Sequence, residues 1–129
     1  MAGIHGFSDF SEAGILAALL SDTALVGQGA VTVALYTAAP EDDDSGAEAA
    51  GASYARQTLG AVTVVDGVAK NDVAVVFPVA TEIWGTVTHI GIKNVADDLL
   101  LWGPLAVSVD VQIGIQVTFP IESIVVTVD

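Results

Sequence analysis

The chain has 129 residues, 53% of them hydrophobic and 15% charged, enough for one domain with a core and too few for two. Against 16 acidic residues stand only Arg56, Lys70 and Lys93, and the formal net charge of -13 with cations so scattered excludes nucleic acid and an anionic membrane surface as partners. Cysteine is absent, which removes disulfides, thiol nucleophiles and thiolate metal sites together.

The apolar run Ala13 to Leu20 has no basic residue ahead of it and is too short to cross a bilayer, so neither a secretory signal nor a membrane span is expected. The capping pattern instead predicts a helix from Asp9 to Leu20. Asp9 stands at the cap, Glu12 follows three residues later, and Ser21-Asp22 stops the helix. On the wheel Ile15, Leu16, Leu19 and Leu20 form an apolar arc, while Ser11, Gly14 and Ala18 form a narrow face of small residues. Such a helix either wedges between a sheet and a neighbouring subunit or covers one end of a sandwich.

Beyond residue 22 the period becomes two. Strands are predicted over Ala30 to Thr37, Ser53 to Val65 and Val73 to Phe77, with Asp66-Gly67 as a hairpin turn. In Trp84 to Lys93 the alternation sets Trp84, Thr86, Thr88, Ile90 and Ile92 on one face against Gly85, Val87, His89 and Gly91. Leu99 to Trp102 and Leu105 to Val109 read as two strands parted by Gly103-Pro104. Val111, Ile113, Ile115, Val117 and Phe119 alternate with polar or small residues as one half-buried strand, and Ile124 to Val128 follows Pro120 as the last. The fold class is therefore all-β with one N-terminal helix, a β-sandwich or jelly roll of roughly eight strands in a single domain over 1-129, with an arm and helix over about 1-22.

Candidate chemistry is sparse. In the acidic run Glu41, Asp42, Asp43, Asp44, the side chains of Asp42 and Asp44 with Glu48 further on could be bent around a hard cation, but the spacing does not match a calcium loop and the reading preferred is a solvated, outward-pointing loop. His5 and His89 stand at no ligand spacing, and no nucleophile elbow or phosphate-binding glycine loop occurs, so no metal, no cofactor and no enzymatic activity are expected. Trp84 and Trp102 with Tyr36, Tyr54 and Phe77 could form a sugar platform; core or interface anchors are the preferred reading.

Taken in order, Ala34-Leu35-Tyr36-Thr37-Ala38-Ala39-Pro40, Ser53-Tyr54-Ala55-Arg56-Gln57, Trp84-Gly85-Thr86-Val87-Thr88-His89-Ile90-Gly91-Ile92, Leu100-Leu101-Trp102-Gly103-Pro104-Leu105 and Val126-Thr127-Val128-Asp129 resemble a group of small tailed-bacteriophage proteins commonly labelled tail fibre proteins. Chains of this size also serve as capsid decoration or cement subunits. The sequence departs from that pattern at Gly51-Ala52-Ser53 and at Asn94 to Asp98. The resemblance implies a virion structural protein, assembled in the bacterial host cytoplasm. The leading expectation is a decoration subunit, a homotrimer stabilising the major capsid protein shell, and the alternative is a tail fibre or tail tip component touching the host surface. Interface residues expected are Phe7 and Phe10 on an N-terminal arm, Ile15 and Leu19 on the helix, and Trp84 and Trp102. Arg56 joins them as a lone cation paired with a carboxylate, within the chain or across a subunit boundary.

Overall fold

Valine, isoleucine and threonine at alternate positions fit the pleated, half-buried surface of a strand, and they build most of this chain. The computed structural model describes residues 2-4 and 6-128. His5, weighed above as a ligand, lies outside the described residues. In chain order the elements are β1 (Ala2–Ile4), β2 (Gly6–Phe7), α1 (Asp9–Leu20), β3 (Thr32–Tyr36), β4 (Gln57–Thr58), β5 (Val62–Val65), β6 (Val68–Asn71), β7 (Val75–Val76), β8 (Gly85–Lys93), β9 (Leu99–Val111), β10 (Thr118–Phe119) and β11 (Ile124–Thr127). The all-β class with one N-terminal helix holds, with eleven strands among the described residues in place of about eight. None of its helices is long and apolar enough to cross a membrane among the described residues.

One sheet has nine strands, ordered β4-β3-β8-β9-β1-β11-β6-β5, with β2 also pairing with β9; the other has two, β10 and β7. Neighbours are antiparallel except β1 and β11, which run parallel with Ala2 opposite Ile124 and Ile4 opposite Val126. The core joins Ile4, Val33, Leu35, Val87, Ile90, Ile92 and Ile124 of the large sheet to Val75, Phe77, Val117 and Phe119 around the small one. Close approach of β9 to β1 depends on Gly103, where a Cβ would stand 2.6 Å from the carbonyl oxygen of Gly3.

Several local expectations change. The helix is capped by Ser8 in place of Asp9: the Ser8 hydroxyl accepts the Ser11 N–H at 3.2 Å and donates to the carbonyl of Leu99, fixing the helix start to β9. Residues 99 to 111 form one strand of 13 residues. Pro104 is tolerated inside it because pairing with β8 jumps there, from His89 opposite Pro104 to Val87 opposite Val109, while Leu105 turns to Ala2 of β1. The same irregularity breaks the alternation of β8, so that Val87 shares the core with Ile90 and Ile92. Ser53 to Val65 is not continuous, because Ser53 and Gly60 both take positive φ and leave only β4 and β5 as strand. The stretch from Val111 to Phe119 is not one strand either. Gly114, at φ 90°, turns the chain, the Ile115 N–H bonds back to the Gln112 carbonyl, and Ile113 points to solvent.

Candidate functional site

Two of the three cations lie in one cluster at the end of the large sheet where β3, β8 and the loop of residues 41-48 meet. Arg56 follows Tyr54 by two residues on an extended segment, so both side chains reach the same side and close on Glu48. Arg56 Nε and Nη2 donate to Glu48 Oε2 and Oε1 at 2.9 and 2.7 Å, and the Tyr54 hydroxyl donates to Glu48 Oε2 at 2.6 Å. Tyr54 also accepts the Leu35 N–H of β3 at 3.0 Å, a donor that short β4 does not reach. Lys93, buried at the end of β8, donates to Asp44 Oδ2 at 2.7 Å, and the Tyr36 hydroxyl donates to Asp44 Oδ1 at 2.7 Å. Asp97 bridges the two cations, 2.5 Å from Arg56 Nη1 and 3.2 Å from Lys93 Nζ.

Electrostatics follow the geometry. Burial pushes the Tyr36 and Tyr54 hydroxyls well above the usual phenol range, reinforced by Asp44 and Glu48 respectively, so both remain donors. Burial also acts to raise the Glu48 carboxyl, but hydrogen bonds from Arg56 and Tyr54 outweigh it and hold the group below its usual value. Hydrogen bonds from Arg56, then Lys93, lower Asp97. Arg56 is raised chiefly by its bond to Glu48.

The acidic loop is therefore only partly solvated, contrary to the expectation that it points outward. Asp44 and Glu48 turn in to the cluster, and Asp42 takes the Trp102 indole N–H on Oδ1 at 2.9 Å while its carbonyl takes the Asp9 N–H that opens α1. Glu41 and Asp43 stay exposed. Among the described residues no group of three or more His, Asp or Glu side chains is gathered to hold a metal ion.

The remaining predicted interface residues scatter. Trp84 is 3% exposed, edge-on to Tyr54 with its indole N–H on the Ala52 carbonyl, so it anchors the chain's own core and offers no surface to a partner. Phe77 and Tyr36 are likewise buried, which removes the sugar platform. Trp102 stays partly exposed beside His89, whose Nδ1 lies 2.8 Å from the Thr88 hydroxyl. Phe7, Phe10 and Ile15, with Leu25, Leu100 and Leu101, line an open apolar cavity of about 580 Å³ beneath α1. Leu19 points away from it, 75% exposed, and Leu16 and Leu20 are exposed with it. Thus Arg56 is paired within the chain, while Phe7, Phe10 and Ile15 are brought together.

Sequence reasoning missed Lys93, Asp44, Glu48 and Asp97 as partners. The available signal was charge balance: in a chain with three cations and 16 acids each cation finds carboxylates, and the Tyr54-Ala55-Arg56 spacing aims two donors at one acceptor.

The chain is mostly β with a single short helix, and its cluster of charged side chains ties the loop of residues 41-48 to the large sheet. Its family is the one described as Podophage GP4 fiber I protein gp80, whose model matches residues 6–127, and the chain belongs to it. It is accordingly a structural component of a tailed-phage virion. No curated protein matches the sequence.

Proposed function

We propose that the chain is a building subunit of a podophage fibre, working by joining copies of itself and other virion proteins, without substrate turnover or a cofactor. The observation that carries this reading is the family match, which takes in every element from β2 to β11. Apolar surface supports it: Leu16, Leu19 and Leu20 on the single helix α1 are all exposed, side chains that contact with another subunit would take out of water. The clamped acidic loop adds a rigid, strongly negative face that keeps assembled subunits soluble.

Copy number and position on the particle test the reading. Quantitative mass spectrometry of purified virions is expected to give a small multiple of the tail proteins, with antibody label on fibres in electron micrographs. A copy number near that of the major capsid protein, with label spread over the head, would overturn it in favour of capsid decoration.

A further inference from the structure

The nine-stranded sheet ends on one side in β4, two residues long, and on the other in β5, Val62-Thr63-Val64-Val65. Edge strands in soluble proteins are commonly guarded by Lys, Pro, bulges or inward charges. β5 carries none of these. Its hairpin with β6 turns at Asp66-Gly67, both at positive φ, with Val65 opposite Val68. That two-residue turn makes Val65 and Val68 a hydrogen-bonded pair, and the Asp72 N–H on the Ala61 carbonyl at 2.9 Å shows the alternation continuing to the far end. Val62 and Val64 are then the positions whose N–H and C=O groups face away from β6, toward the open edge. Their side chains are open too, Val62 at 43% and Val64 at 67% exposure.

From this edge we infer that β5 pairs antiparallel with β5 of a second copy about a two-fold axis at Thr63. In that register Val62 lies opposite the partner's Val64 and Val64 opposite the partner's Val62, and the outward groups exchange four N–H to C=O bonds. Charge selects the same place. Residues 57 to 76 carry Asp66, Asp72 and Lys70, a net of -1 out of -13, so the remaining -12 lies elsewhere. Two copies meeting at β5 keep their acidic loops apart, and Lys70, which has no ion pair among the described residues, lies opposite Thr63 on β6, one strand in from the shared edge. The valines pack across the strands as β-branched pairs. The pairing deepens the fibre reading by naming one contact between subunits.

Sedimentation of the full chain from low to high micromolar concentration tests it. The expected result is a complex with an even number of copies. Val64→Pro removes an N–H that β6 does not use, and Val64→Lys installs the missing edge guard while keeping the backbone; each is expected to raise the dissociation constant by about tenfold or more. Val95→Ser, in the exposed loop between β8 and β9 on the other half of the sheet, is expected to leave it unchanged. Should Val64→Pro fail to fold, hydrogen exchange decides on the natural sequence: the Val62 and Val64 amides gain protection as concentration rises. A monomer at every concentration, an odd-numbered complex, or a complex indifferent to both Val64 variants would overturn the pairing. None of these results bears on where the protein sits on the particle, which labelling of virions reads separately.

Discussion

The guanidinium of Arg56 and the carboxylate of Glu48 meet fork to fork, Nε to Oε2 at 2.9 Å and Nη2 to Oε1 at 2.7 Å. A lysine offers one point charge in place of this planar fork and cannot at the same time reach Asp97 as Arg56 does. Arg56→Lys is therefore expected to lower stability by about 1 to 2 kcal/mol, toward the lower end because the pair is partly exposed. Urea unfolding followed by tryptophan fluorescence measures the loss, and an unchanged midpoint would show that the fork contributes nothing beyond charge.

Acid should loosen the same cluster. Glu48 and Asp97 are held below their usual values of 4.5 and 3.8. For carboxyls lowered in the folded state, the stability they contribute is full above the unfolded values. It is lost as pH falls below those values and through the lowered folded ones. Asp97 is largely exposed and screened, so Glu48 carries most of the effect. The comparison that isolates the pair is the natural chain against Arg56→Gln. Urea midpoints taken at stepwise lower pH are expected to converge as Glu48 protonates; parallel curves would contradict the assignment.

Gly103→Ala tests the approach of β9 to β1. The new methyl would meet the Gly3 carbonyl oxygen at 2.6 Å and the Ile4 Cα at 3.0 Å. Both are backbone, so β1 must shift and its pairing with β9 and β11 weaken. A loss of about 1 to 3 kcal/mol is expected in chemical denaturation, together with faster exchange of the β1 amides.

Asn71 fastens β11 from inside the structure. Its side-chain amide donates to the Val73 and Pro120 carbonyls at 2.9 and 3.0 Å, its Oδ1 accepts the Ile124 N–H at 2.9 Å, and the side chain is buried. Asn71→Leu keeps the branched shape but enlarges a buried side chain and strands all three partners, at a cost of about 2 kcal/mol or more. Thermal melting reads the total, and hydrogen exchange at Ile124 locates it.

Legibility in the sequence followed the range of the interactions. The helix over 9-20 and the Asp66-Gly67 turn are set by neighbours a few residues apart, and both appear where local patterning puts them. The cap passed from Asp9 to Ser8 because Ser8 also bonds to the Leu99 carbonyl, a partner no local rule can see. In β8 a strict alternation gave the wrong face to Val87, since the break in register is forced from the opposite strand by Pro104. Ile113 and Ile115 alternate as well as any strand, yet Gly114 turns the chain between them and among the described residues neither belongs to a paired strand. The charged cluster was hidden for a related reason: Arg56 could be recognised as a cation in need of a carboxylate, but Glu48 and Asp97 reach it from opposite directions along the chain.

The place of β1 bears on how the molecule folds. Residues 2 to 4 pair with residues 124 to 126 on one side, Ala2 pairs with Leu105 on the other, and among the described residues β1 is the only hydrogen-bonded link in the large sheet between the β4-β3-β8-β9 half and the β11-β6-β5 half. The β5-β6 hairpin closes over a two-residue turn and the pairing of β8 with β9 over a short loop, so each half can form early from near neighbours. Joining them requires closing a loop nearly as long as the chain, the slowest kind of contact to find. Until that closure the open sides of β9 and β11 are both unprotected, and a nascent chain passes through a stage in which strand exchange with another molecule competes with completion of its own sheet.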